Sequence, residues 1–268
     1  MIVIDEQFPT MGVEGRILAE YPDAVGETAA RAEVAGARDR IEALAACLTR
    51  FDPASELCAM NADPAPVVRV SADLGGAVAA AVKAARDTGG LVDPTLTGEL
   101  EAAGYTGTRR GTQPLDLDAA LRDAPPRAPG GPRAEPAWPA VTVSADHRTV
   151  ERPPGVRIDL GGIGKGLAAD EAARLLPRAF RYAVDCGGDL ALGGPGTARR
   201  PWSVDVRDPR TGRAAHSVRV TAGGVATSGL DIRLWRGPDG RPRHHLLDPA
   251  TGAPVWPGMI AVTAVAPT

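Results

Sequence analysis

The sequence predicts an α+β fold of mixed, largely antiparallel sheets packed with helices, and three observations carry that expectation. Two segments of the N-terminal half repeat apolar residues at helical spacing. Short alternating runs separated by turns fill the C-terminal half. One strand-like run passes through a glycine turn into a further helix. At 268 residues the chain can bury a sizeable core and sits near the upper size for one domain, so a single domain over 1–268 is expected.

The elements follow in chain order. Over residues 27–48, Ala30, Val34, Ala37, Ile41, Leu44, Ala45 and Leu48 line one face of an amphipathic helix. Residues 71–88 form a second, with Ser71 as its N-cap and Gly89-Gly90 as its stop. Asp93-Pro94-Thr95 is a turn leading into a helix that Thr95 caps. Residues 122–139 are dominated by Pro, Ala, Gly and Arg and show no period, which marks an insert at about 122–140 that is solvent-exposed and free to move. Strands are expected at 141–143, 202–206 and 217–220, with Asp208-Pro209-Arg210-Thr211-Gly212 as the hairpin loop between the last two. Residues 156–160 alternate like a strand, and Leu167, Ala168, Ala172, Leu175 and Leu176 share one helix face, so the glycines at 161–166 form the turn between them.

That turn carries chemistry. Its backbone amides lie at a helix N-terminus, where unpaired N–H groups and the helix dipole favour an anion. Asp159 and Lys165 bracket it, so a phosphate-containing ligand is the natural occupant, with Lys165 as counter-charge and Asp159 holding a polar group or serving a metal. The turn is not a phosphate loop of the G-x-x-x-x-G-K-[ST] kind, because Asp159 replaces the first glycine and Gly166 the hydroxyl residue. It is not the dinucleotide fingerprint G-x-G-x-x-G either, since Leu167 takes the third glycine's place. Taken alone, it is equally a plain tight connection.

Three further segments shift that balance. Val184-Asp185-Cys186-Gly187-Gly188-Asp189-Leu190 runs from a strand into a double glycine and an acid. Residues 223–229 place Thr227 and Ser228 in a glycine-flanked loop, and residues 244–252 run from a strand into a proline turn. Four Gly/Asp/hydroxyl loops beside apolar strands suggest strand ends converging on one ligand, although each by itself reads as a structural turn.

The motif order is D-x-G-G-I-x-K-G from Asp159, G-G-D from Gly187, A-T-S-G from Ala226 and H-x-x-D-P-x-T-G from His245. In that order the chain resembles the ApbE-type flavin transferases, which move FMN from FAD onto a protein threonine or serine. Met11-Gly12, residues 51–61 around Ser55-Glu56-Leu57, and Gly90-Leu91-Val92-Asp93-Pro94-Thr95 agree as well, so the resemblance runs from Met11 to about Val265.

The resemblance implies that FAD, as substrate, contacts Met11, Phe51, Asp93, Pro94, Thr95, Asp159, Lys165, Ser228 and Leu246. It implies Mg2+, with the Gly162 carbonyl as one ligand, and an acceptor flavoprotein carrying the target Thr or Ser as partner. Met11 and Phe51 are either core residues or, as in the family, flank the flavin ring; Phe51 stands where tyrosine is common and keeps the apolar face that stacking uses. The family motif sets its histidine three residues before the Asp of Asp-Pro, which selects His245 over His244 as the catalytic residue. In a strand the two point to opposite faces. An imidazole titrating near neutrality suits a base that takes the proton of an attacking hydroxyl; a structural histidine is the other reading. His147 and His216 fall in hairpin-like segments and are expected at the surface.

The implied reaction is displacement at the FMN phosphorus of FAD with AMP as leaving group. With water as acceptor the same site would be an FAD pyrophosphatase, and without turnover an FAD-binding protein. The family continues beyond its last alternating strand, here residues 259–265, into an A-D-A-x-x-T helix whose Asp and Thr bind magnesium. The sequence stops at Thr268, so those ligands are expected to be missing and the strand's outward neighbours uncovered.

Composition excludes other classes. A net charge of −3 lacks the basic footprint of a nucleic-acid binder. Cys47, Cys58 and Cys186 make no metal spacing and no even disulfide set, which suits a reducing compartment, and Cys186 beside the double glycine is expected to be a small buried residue. The acidic start Met1-Ile2-Val3-Ile4-Asp5-Glu6 does not resemble a signal peptide, and nothing approaches a membrane-spanning length. A cytoplasmic protein with no membrane insertion is the expectation.

Overall fold

A computed structural model describes residues 1–108 and 113–267. The elements are β1 (Ile2–Thr10), β2 (Val13–Tyr21), α1 (Glu27–Leu48), α2 (Glu56–Ala62), β3 (Val67–Arg69), α3 (Ala72–Asp87), α4 (Thr97–Ala102) and α5 (Leu117–Arg122). There follow β4 (Thr142–Val143), β5 (Thr149–Glu151), α6 (Gly164–Ala173), β6 (Arg181–Cys186), β7 (Asp189–Gly193), β8 (Trp202–Arg207), β9 (Ala214–Val220) and β10 (Gly223–Gly229). The last strands are β11 (Leu234–Arg236), β12 (Pro242–His244), β13 (Leu247–Asp248), β14 (Ala253–Pro254) and β15 (Ala261–Ala266). The α+β expectation holds, and each strand pair among the described residues is antiparallel.

The chain divides into two compact units, each discontinuous in sequence. The first comprises residues 1–45, 165–229 and 261–268. Its six-stranded sheet has the order β1-β2-β6-β7-β10-β15, with β8 and β9 as a separate hairpin. Ile4 and Phe8 of β1, Ile17, Ala19 and Tyr21 of β2, and Val184 and Cys186 of β6 are buried at alternate positions, as one core-facing side of a sheet requires. β1 and β2 join through Met11 and Gly12 at φ 45° and 74°, the doubly left-handed turn that matches strand twist. Gly187 and Gly188, at φ 69° and 94°, make the same connection between β6 and β7. The edge strand β15 leaves Val262 and Val265 exposed.

The second unit comprises residues 46–164 and 230–260. It holds α2 to α5, the small sheet β3-β5-β4 and the pairs β11–β12 and β13–β14. One core cluster joins Leu100, Ala103, Tyr105 and Trp235, with Phe51 and Leu247 packed against it. Another joins Leu117, Ala120, Leu230, Leu234 and Trp256, with Leu246 at its margin.

α1 and α3 fall where the periodicity puts them. Ser71 Oγ accepts from Leu74 N at 3.2 Å as N-cap, and Gly89 and Gly90 take positive φ at the stop. Asp208 N donates to Arg213 O and Gly212 N to Asp208 O, closing the expected hairpin loop of β8 and β9.

Four expectations are corrected. Residues 156–160 belong to no strand; Asn61 clamps the backbone of Ile158 with two bonds of 2.8 Å, Asp159 N donates to Pro94 O, and Thr97 Oγ1 donates to Arg157 O. Residues 223–229 are not a loop but the strand β10, paired on both sides. Thr95 is not the cap of α4, which starts two residues later; Thr95 N and Oγ1 instead donate to Asp93 Oδ1. Leu175 lies past the end of α6 and is exposed, whereas Ala168, Ala169, Ala172 and Leu176 are buried.

The proline-rich insert is exposed along most of its length, yet tied down within its unit. Gly131 N donates to Asp248 Oδ1 at 2.8 Å, Ala250 N to Gly131 O at 2.9 Å and Ala128 N to Trp256 O at 3.2 Å, and Arg133 pairs with Glu99.

Candidate active site

In the second unit two of the singled-out segments meet at one side chain that periodicity and motifs did not flag, and a third is tied to them through the Asp159 backbone. Arg50, in the bend after α1, sets its Nε 2.6 Å from Asp159 Oδ2, and both side chains are largely buried. Its Nη2 donates to Tyr105 O at 2.6 Å, and its guanidinium lies over the Phe51 and Tyr105 rings at 4.3 and 4.8 Å. Phe51 meets Tyr105 edge-on at 5.3 Å, Tyr105 stacks on Trp235 at 5.4 Å, and the His245 ring lies 6.4 Å from Tyr105. Arg50, Tyr105 and Trp235 are therefore neighbours of the candidate residues that sequence reading missed; the one signal for Arg50 was its place beside Phe51.

Asp159 is committed on both carboxylate oxygens. Oδ1 accepts from Gly161 N at 2.8 Å, which folds the glycine turn, and Oδ2 faces Arg50. Its backbone N–H donates to Pro94 O at 2.8 Å, so the Asp93-Pro94-Thr95 turn and the glycine turn are stitched together. Between them is a cavity of about 50 Å³ bordered by Asp93, Pro94, Asp159 and Gly162. That is room for a few waters or one small anion. Asp93 Oδ1 is used by Thr95, while Oδ2 is buried with no hydrogen-bond partner among the described residues.

His244 and His245 separate as adjacent residues at a strand end do. His244 is fully buried and packs edge-on against Trp256 at 4.6 Å, and its Nδ1 accepts from Leu246 N at 3.2 Å. Burial pulls its imidazole down to about 4. His245 and Leu246 are only partly buried. The loop after them is fixed by Asp248, whose carboxylate accepts from Gly131 N, Ala250 N and Thr251 Oγ1. Burial pushes this carboxyl up, but those donors outweigh it and hold it below the ordinary range.

In the first unit the remaining segments form a second group. Lys165, in the first turn of α6, ion-pairs with Asp189, the acid after the double glycine. Asp185 Oδ1 accepts from Gly188 N at 2.7 Å, and burial pushes its carboxyl up. Thr227 N donates to Gly188 O at 3.0 Å, and Thr227 Oγ1 is 2.9 Å from Thr263 Oγ1. Ser228 is exposed on β10, and Met11 is half-buried in the β1–β2 turn. Cys186 is buried with its thiol pushed up to about 12 by burial, as suits a packing residue. Among the described residues no three His, Cys, Asp or Glu side chains converge on a metal position, and no helix is long and apolar enough to cross a membrane.

The family model described as "ApbE family" matches residues 11–268. Among curated proteins, the FAD:protein FMN transferase of Salmonella typhimurium (strain LT2) is 30% identical over 82% of this chain and 60% of its own length. That of Treponema pallidum (strain Nichols) is 35% identical over 80% of this chain and 61% of its own. The chain thus spans about 60% of the length of these relatives. Among solved structures, the ApbE protein of Thermotoga maritima MSB8 aligns with a TM-score of 0.77 at 27% identity, covering 99% of this chain and 82% of that one. The flavin transferase ApbE of Vibrio cholerae, at 22% identity and a TM-score of 0.75 over 100% of this chain and 82% of that one, shares the fold. Fold, motif order and a match along nearly the whole chain agree: this chain belongs to the ApbE family.

Proposed function

We propose that this protein transfers FMN from FAD to a threonine or serine hydroxyl of an acceptor protein and releases AMP. The supporting observation is the knot at Asp159, which binds Arg50 beside Phe51, Pro94 of the Asp-Pro-Thr turn and Gly161 of the glycine turn into one group. Relatives named FAD:protein FMN transferase supply the reaction class.

In the reaction, the acceptor oxygen attacks the FMN phosphorus, the bond from that phosphorus to the bridging oxygen breaks, and AMP departs with that oxygen. His245 takes the hydroxyl proton. Phe51 offers an apolar face to the flavin ring, with Met11 as its counterpart by resemblance. The Gly162 amide and the Lys165 ammonium offset phosphate charge, with further FAD contacts from Asp93, Pro94, Thr95, Ser228 and Leu246, while the Gly161, Ile163 and Gly164 amides stay bound to Asp159 and Leu160. Asp93, whose Oδ2 is buried without a partner among the described residues, borders the same cavity as Gly162, so these residues fit a magnesium ion and would hold it through that carboxylate oxygen and the Gly162 carbonyl. When bound, such an ion neutralises charge on the diphosphate. Three free thiols fit a reducing compartment, so the cytoplasm is the proposed location.

The test is to incubate the protein with FAD, Mg2+ and a candidate acceptor peptide, then measure AMP and peptide mass. AMP together with an FMN mass gain supports transfer. AMP alone would make the protein a pyrophosphatase, and bound FAD without AMP a flavin-binding protein.

A further inference from the structure

Arg50 is a nearly enclosed cation whose exposure is 7%, and its contacts do not serve to close any helix or strand. They go to Asp159, to the Tyr105 carbonyl and to two aromatic faces. An unpaired carboxylate at position 159 would sit in the wall of the cavity beside the glycine turn and repel any phosphate drawn there. The ion pair cancels that charge, and it also fixes the carboxylate in the pose that accepts from Gly161 N.

We infer that Arg50 is a positioning residue for the dinucleotide site, acting through Asp159 to keep the glycine turn both electrically neutral and correctly folded. The inference rests on the FAD reading above. Arg50→Met keeps the length of the stem and removes the charge; Asp159→Asn keeps an acceptor for Gly161 N and removes the carboxylate.

The experiment is a double-mutant cycle on FAD affinity, read by flavin fluorescence, together with hydrogen exchange of the 159–164 segment in the ligand-free protein. Arg50→Met should weaken FAD binding roughly tenfold when Asp159 is present and less than about twofold in the D159N background. Arg50→Lys, which retains charge without the planar fork, should recover most of the affinity and covers the case in which the methionine variant does not fold. Exchange at 159–164 should quicken in R50M. Equal losses in both backgrounds, or unchanged exchange at 159–164, would overturn the inference. Failure of the wild type to bind FAD would instead overturn the functional reading, and the exchange measurement still decides the role of Arg50.

Discussion

His244 and His245 are neighbours in sequence and opposites in setting: His244 is wholly enclosed against Trp256, while His245 is partly open with its ring 6.4 Å from that of Tyr105. The end of a short strand produces this, because successive side chains leave on opposite faces.

Enclosure gives His244 a pH signature. Its imidazole titrates at about 4 in the folded protein and near 6.5 when unfolded, so between those values the unfolded chain binds more protons. Stability should therefore fall as pH drops from 6.5 towards 4, by at most about 3 kcal/mol from this group. Urea midpoints across that range measure it. His244→Asn, which keeps an acceptor for Leu246 N, should flatten the slope; an unchanged slope would remove His244 as its source.

Asp248 is the pin of the loop that follows His245. Asp248→Ala would strand donors on Gly131, Ala250 and Thr251, at a cost of about 2–3 kcal/mol. The wild-type contribution is present above the ordinary carboxylate range and lost as pH falls through the depressed folded value. Proteolysis within residues 126–133 should accelerate in the variant, since Gly131 loses its anchor. Equal cleavage rates would show that the insert is held elsewhere.

Arg152 is buried and donates to the carbonyls of Met60, Asp63 and Val156, so it caps the end of α2 and fixes the start of the 156–160 segment. Arg152→Met preserves bulk but leaves those carbonyls without their donor, and should cost about 3 kcal/mol in denaturant unfolding. A loss below about 1 kcal/mol would mean that water replaces the guanidinium.

What was legible in the sequence follows from the range of the forces involved. α1, α3 and the hairpin at Asp208–Gly212 are set by neighbours within a few residues, and periodicity, Ser71 and the Asp-Pro-x-x-Gly turn announce them. Residues 156–160 alternate like a strand, but their partner is the amide of Asn61, 97 residues away from Ile158, and no local period encodes that. The same holds within the site. The glycine turn singled out Asp159 and Lys165, and the resemblance Phe51, yet the groups that fix the first two, Arg50 for Asp159 and Asp189 for Lys165, are revealed only by the fold. Asp189 stood in view as part of a motif; its role as the lysine's partner did not.

The most direct test of the central proposal is the intact mass of an acceptor peptide after incubation with FAD and Mg2+, comparing wild type with His245→Ala. The account predicts that the wild type adds one FMN per target hydroxyl, while the variant binds FAD and leaves the peptide unmodified. A peptide left unmodified by wild-type protein that binds FAD, or full modification by the variant, would contradict it.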